Sequence, residues 1–161
     1  MEYPLLSLGL AREIELAEAE AAVACAERLM ASQGDGAGAV ASVAGGSAVY
    51  CGASSPVTQA VGLGLNGTVS KEEFDRLEEF YFSRKEPVRV ETCPMADGSL
   101  IEHYRERGYH VSEFSNVMVR PLEKEAGAAT LPAGMKFRKR RRGRLTSGHS
   151  PWRKALRNIF R

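Results

Sequence analysis

Residues 57–84, VTQAVGLGLNGTVSKEEFDRLEEFYFSR, contain the change of hydrophobic period that decides the fold. The run Val57–Leu65 is apolar and partly β-branched, which predicts a strand, and Asn66-Gly67 follows it as a turn signal. Ser70–Glu73 then forms a capping box, in which the first and last side chains each bind the other's backbone amide. The stretch therefore predicts a strand, a glycine-containing loop and a helix over 70–84.

A long helix and a hairpin are predicted before this stretch. Leu10–Ser32 has apolar residues at steps of three and four, which is the period of a helix with one buried face. The predicted buried stripe comprises Leu10, Ile14, Ala17, Ala21, Cys25 and Leu29. Ala39–Ala44 and Ser47–Cys51 have the residue types of strands, and the glycine pair between them predicts a two-stranded hairpin.

A strand, a helix and a last strand are predicted after it. Val88–Thr92 is short and alternating, and Ser99–Arg107 reads as a helix that opens with a second capping box. Gly108 is the residue expected to end that helix. Tyr109–Arg120 is strand-like, with predicted core residues Phe114, Val117 and Val119. Helices and strands that alternate after a hairpin predict an α/β fold, with a central mixed sheet flanked by helices and a parallel pairing of Val57–Leu65 with Val88–Thr92.

Composition and spacing limit the function classes. The 43% apolar and 26% charged content is typical of a globular protein, and the apolar runs are too short to span a bilayer. The three cysteines, Cys25, Cys51 and Cys93, form no close pair in sequence, which predicts reduced thiols and a cytoplasmic location. The histidines lack ligand spacing with the cysteines or with each other, so no metal site is predicted.

The element order and the pattern Tyr104-Arg105-Glu106-Arg107-Gly108-Tyr109 carry a resemblance to a known family. Residues 8–122 resemble the fold of the GNAT (general-control-related) N-acetyltransferases, and they look closest to the amino-terminal half of proteins with two such domains in tandem. The resemblance implies acyl transfer from acetyl-CoA to the amine of a small molecule or peptide. It also implies a second GNAT-like domain as partner, and we expect neither a membrane nor a nucleic acid.

The resemblance also assigns site residues. Tyr104 corresponds to the family's general acid, which protonates the departing CoA thiolate, and Asn66, Gly67 and Thr68 lie in the loop that would hold the pyrophosphate of acetyl-CoA. Tyr104 also has a structural interpretation as a core tyrosine, and Asn66-Gly67 has one as a turn. The loop departs from the family pattern because it has no Arg or Gln, and the helix after it opens with Glu72 and Glu73. We therefore expect a degenerate, non-catalytic half; a complete small acetyltransferase with an atypical loop is the alternative.

The charge distribution divides the chain after Gly134. Residues 1–135 hold 20 acidic and 11 basic residues, and residues 136–161 hold the other 11 basic residues and no acid. This division predicts a domain over 1–122, a linker over 123–135 and a disordered basic tail over 136–161. With one choice of codons, another reading frame of the tail encodes an acidic helix like the start of a second GNAT-like domain. A frameshift after about residue 135 and a nucleic-acid-binding arm both account for the tail.

Overall fold

The computed structural model describes residues 5–119. Three helices and a small three-stranded antiparallel sheet of order β1-β2-β3 make up a mixed α/β fold. The elements in chain order are α1 (Leu8–Gln33), β1 (Ala39–Val43), β2 (Gly46–Tyr50), β3 (Gln59–Val61), α2 (Lys71–Phe82) and α3 (Gly98–Glu106). Within the described residues, no helix is long and apolar enough to cross a membrane. The predicted linker over 123–135 and the predicted basic tail over 136–161 lie outside the described residues.

Helix α1 forms as predicted, but its predicted buried stripe is wrong. The Ser7 hydroxyl caps the helix by accepting a hydrogen bond from the Leu10 amide at 3.2 Å. Ala17, Ala21 and Cys25 of the predicted stripe are exposed. The buried residues are Ala11, Glu15, Ala19, Ala22 and Ala26. Alanine occupies several sides of this helix, so apolar periodicity does not single out one face, and the sheet selects the face whose small side chains permit the closest approach.

The predicted hairpin is confirmed as β1 and β2, but its turn lies one residue before the predicted glycine pair, because Gly46 already belongs to β2. Ala44 and Gly45 form its turn, with φ values of 51° and 78°, and Val43 pairs with Gly46. Strand β3 continues the antiparallel sheet, with Ser47 opposite Val61. Gly46 is required at the hairpin, because a β-carbon there would lie 2.3 Å from the carbonyl oxygen of Val61.

The predicted parallel pairing is confirmed at one residue pair, Ala60 and Val90. The Ala60 amide donates to the Arg89 carbonyl at 2.8 Å, and the Glu91 amide donates to the Ala60 carbonyl at 2.8 Å. Two residues further along, the Gly62 amide binds the carboxylate of Glu15 instead of the neighbouring chain. Strand β3 and the segment around Val90 therefore pair in parallel at one position and then separate.

The core lies on both faces of the sheet. Ala48 and Val49 are adjacent in β2 and fully buried, and they belong to opposite clusters. On one face Val49 packs with Cys51 and with the alanines of α1. On the other face Ala48 packs in the larger cluster, whose biggest members are Leu63, Phe74, Leu77, Tyr81 and Leu100. Helix α1 and helices α2 and α3 thus cover opposite faces, which is the layered arrangement that the sequence predicts.

Two predictions for the end of the described chain are wrong. No strand forms over 109–119, and Phe114, Val117 and Val119, predicted in the core, have exposed fractions of 91%, 58% and 42%. A strand needs a neighbour for its backbone groups, and the described residues provide none beside this segment. The predicted Ser99 capping box is also wrong, because the carboxylate of Asp97 caps α3 by accepting from the Ser99 amide at 3.0 Å.

Candidate functional site

The loop between β3 and α2 presents the predicted cofactor-binding residues on the surface. Asn66, Gly67 and Thr68 are all exposed, and Gly67 has a φ of 125°. The Asn66 side-chain amide reaches the Gly45 carbonyl at 3.5 Å, which places the loop beside the hairpin turn. The loop itself contains no cationic side chain that could neutralise a phosphate.

One cation reaches the loop from a distant part of the sequence. The guanidinium of Arg12, on α1, donates to the Leu65 carbonyl through Nε at 3.0 Å and Nη2 at 2.8 Å. Sequence reasoning missed this residue, because 53 positions separate it from Leu65 and no local motif contains it. A guanidinium has five N–H donors, so Arg12 keeps donors beyond the two that it uses on the loop.

Side chains of the chain itself bind backbone amides at the start of α2. The capping box predicted at Ser70 is confirmed: the Ser70 amide donates to Glu73 Oε2 at 3.0 Å, and the Glu73 amide donates to Ser70 Oγ at 3.2 Å. The Val69 amide donates to Ser99 Oγ at 2.9 Å. Helix N-termini bind anions through such amides. At this helix start the amides of Val69, Ser70 and Glu73 are already hydrogen-bonded within the chain, and the carboxylate of Glu73 adds negative charge where an anion would approach.

Carboxylates surround the point where β3 and the segment around Val90 separate. Glu15 has an exposed fraction of 8% and accepts from the Gly62 amide at 3.2 Å. Burial, and then the charge of Glu91, raise the pKa of Glu15; burial and the same neighbour raise the pKa of Glu18. Glu91 also accepts from Gln59 Nε2 at 2.8 Å. An anionic cofactor that entered this opening would meet like charge.

Tyr104 is half-buried on α3. It lies beside Thr92, two residues after Val90, which pairs with β3. Its hydroxyl shares a 2.9 Å hydrogen bond with Thr92 Oγ1. Burial raises the pKa of Tyr104 to about 12, against the opposing effect of the Thr92 hydrogen bond. The ring packs against Phe74 and Tyr109, with centroid separations of 5.8 and 5.3 Å. The hydroxyl therefore remains protonated at neutral pH, as a general acid must, while it also has a structural partner.

The pattern Tyr104–Tyr109 has a structural explanation. Arg107 bridges α3 to α2 through Asp75 at 2.6 Å and Glu78 at 2.5 Å, and the Tyr109 hydroxyl donates to Glu78 at 3.0 Å. Gly108, with a φ of 74°, ends the helix as predicted and lets the chain turn back. The Tyr109 amide then binds the Tyr104 carbonyl at 2.9 Å. These contacts fix α3 on α2 and give Arg107 and Tyr109 of the pattern a structural role.

The separation of the cysteines in sequence is misleading. The fold brings Cys51 against the turn of α1 that carries Cys25, with its thiol 3.8 Å from the carbonyl oxygen of Ala22, and all three cysteines are free thiols. Burial, and then the contact with Cys25, raise the pKa of the Cys51 thiol to about 12. No group of three or more His, Cys, Asp or Glu among residues 5–119 is arranged to hold a metal ion.

Comparison with known proteins gives no match: no protein-family model, curated protein or solved structure is significantly similar to the chain. The class that the findings define is thus a mixed α/β protein with a small open sheet.

Proposed function

We propose that the chain is the GNAT-like amino-terminal half of a tandem N-acetyltransferase, and that it does not bind acetyl-CoA itself. Its role is to support and shape a second GNAT-like domain, which would transfer the acetyl group to an amine. The observation that carries the proposal is the start of α2, where the Glu73 carboxylate binds the Ser70 amide and places negative charge beside the helix N-terminus. The amides of Val69, Ser70 and Glu73 are bound to side chains of this chain, so they are not available to a pyrophosphate.

Two further features support a GNAT-like origin for this arrangement. The strand segments pair once in parallel at Ala60 and Val90 and then separate, and the helix α2 begins after the loop that follows β3. A family member would place the cofactor in such an opening. In this chain the Glu15 carboxylate lies in the opening and accepts a hydrogen bond from the Gly62 amide. That amide is therefore not free to bind a cofactor or a neighbouring strand.

Thermal unfolding in the presence of acetyl-CoA tests this proposal. A ligand present at 100 times its dissociation constant stabilises a protein by about 2.7 kcal/mol, which is easily measured as a shift of the unfolding midpoint. We expect no shift with acetyl-CoA, and none with CoA as the matched control. A concentration-dependent shift with acetyl-CoA would contradict the proposal, as would acetylation of an amine by the chain alone.

The alternative is a complete small acetyltransferase, and Arg12 is the observation in its favour. Its guanidinium lies at the loop through Leu65 and could supply the positive charge that the loop lacks. In that case Arg12→Ala would weaken acetyl-CoA binding, and Tyr104→Phe would lower the turnover rate without changing binding. Arg28→Ala, which removes an exposed arginine elsewhere on α1, is the matched control for the first substitution.

A third candidate, from another class, rests on residues 136–161 with their 11 basic residues and no acid. Binding to nucleic acid through such a segment would weaken steeply as the salt concentration rises, because the cations displace counterions from the phosphates. Fluorescence anisotropy of a labelled DNA duplex over a salt series tests this. The nucleotide sequence of the gene decides between the third candidate and the proposal: an acidic, GNAT-like continuation in another frame favours a frameshifted tandem protein.

A further inference from the structure

Cys51 lies at the end of β2, against the turn of helix α1 that carries Cys25. Cys25 is exposed on α1, and Cys51 directly follows the last residue of β2 and is buried. The Cys51 thiol approaches the carbonyl oxygen of Ala22 at 3.8 Å. Ala22 lies one helical turn before Cys25 on the same helix, so the contact brings Cys51 to the turn that carries the second thiol.

The surroundings hold this pair in place. The Cys51 amide donates to Thr58 Oγ1 at 2.9 Å, and that hydroxyl donates to the Gly52 carbonyl at 2.9 Å. Thr58 is fully buried, so it anchors the backbone on both sides of Cys51. Across from it, α1 presents the small side chains of Ala22 and Ala26. Small neighbours permit the short approach of two backbones that a disulfide requires.

We propose that Cys25 and Cys51 form a reversible intramolecular disulfide when the protein meets a hydroperoxide. The exposed Cys25 sulfur attacks one oxygen of hydrogen peroxide, the O–O bond breaks, and Cys25 becomes a sulfenic acid as one water is released. The Cys51 sulfur then attacks the Cys25 sulfur, the S–O bond breaks, and a second water leaves. Two thiols thereby lose two electrons and two protons, and one peroxide is reduced to two waters.

The order of these steps follows from exposure. Peroxide reaches Cys25 first, because Cys51 is covered by the alanines of α1. Cys51 acts second, as the resolving thiol, and a dithiol reductant reverses the bond by thiol–disulfide exchange. The disulfide links α1 to the sheet, and it thereby fastens the helix that carries both Arg12 and Glu15. This inference is independent of the proposed acetyltransferase origin.

Mass spectrometry of the full chain after peroxide treatment tests the proposal. We expect the accessible thiols in denaturant to fall from three to one, with a loss of two hydrogen masses and a peptide that joins Cys25 to Cys51. Dithiothreitol should restore all three. Cys93→Ser, at the remaining cysteine, is the matched control and should still form the bond, whereas Cys25→Ser should not. A linkage through Cys93, or sulfinic acid at Cys25 with a reduced Cys51, would overturn it.

Unfolding in urea gives a second readout on the unmodified sequence. A disulfide that closes a loop of this length lowers the unfolding equilibrium constant by about two orders of magnitude. Oxidised protein should therefore unfold at a higher urea concentration than reduced protein, and the difference should vanish in Cys25→Ser. Equal midpoints for the oxidised and reduced protein would show that no linkage forms between α1 and the sheet.

Discussion

Replacing Tyr81 by phenylalanine is expected to destabilise the fold without changing its shape. Tyr81 is fully buried on α2, and its hydroxyl reaches the backbone of β2. The hydroxyl accepts from the Val49 amide at 3.1 Å and donates to the Val49 carbonyl at 3.3 Å. It is the polar contact that joins α2 to the centre of the sheet.

The magnitude follows from the two hydrogen bonds. Each contributes about 1 kcal/mol, and the Val49 groups left behind are buried, so we expect the free energy of unfolding to fall by about 2 kcal/mol. With a urea dependence of about 2 kcal/mol per molar, the unfolding midpoint should fall by about 1 M. Equilibrium unfolding in urea, followed by circular dichroism, measures this directly.

A second tyrosine provides the control. Tyr50 is half-buried at the end of β2, and its hydroxyl makes no hydrogen bond within residues 5–119. Tyr50→Phe should therefore change the free energy of unfolding by less than about 0.5 kcal/mol. Equal midpoints for Tyr81→Phe and the wild type would refute the reasoning, because they would show that the hydroxyl does not hold α2 on the sheet.

Three further substitutions test other parts of the fold by the same urea measurement. Because Glu15 has a raised pKa in the fold, its contribution to stability is fully present below its ordinary value of 4.5 and is lost as the pH rises through the folded-state pKa. Glu15→Gln should remove this loss of stability at higher pH. If the stability of the variant depended on pH as that of the wild type does, the raised pKa of Glu15 would be contradicted. Ser70→Ala should cost about 1 kcal/mol by removing the cap of α2, and a neutral result would exclude the capping box. Gly46→Ala should cost about 2 kcal/mol or more, because the new β-carbon would meet the Val61 carbonyl, and a stable variant would contradict the strand register.

The features predicted correctly from sequence are those that depend on neighbouring residues. The Ser70 capping box spans one helical turn, and the hairpin is marked by its glycine pair, so both are visible in a short window, although the turn falls one residue before that pair. The parallel pairing at Ala60 is a longer-range contact, and it was predictable because a helix between two strand segments favours a crossover.

The features that sequence reasoning missed depend on which surfaces meet. The face of α1 could not be read, because alanines lie on several sides and the buried position Glu15 is polar. The contacts of Arg12 with Leu65 and of Cys51 with Ala22, one turn before Cys25, arise only when α1 packs on the sheet. The alternation over 111–119 indicates a strand with one apolar face, but it does not contain the neighbour that such a strand requires.

Isothermal titration of the full chain with acetyl-CoA tests the central claim most directly. The claim is that the amides of Val69, Ser70 and Glu73 are bound within the chain, and that the carboxylate of Glu73 repels a pyrophosphate from the start of α2. The account predicts no saturable heat, and thus no binding tighter than about millimolar, or about −4 kcal/mol. A micromolar dissociation constant that CoA competes for would contradict it, and would make the loop of Asn66, Gly67 and Thr68 a working cofactor site.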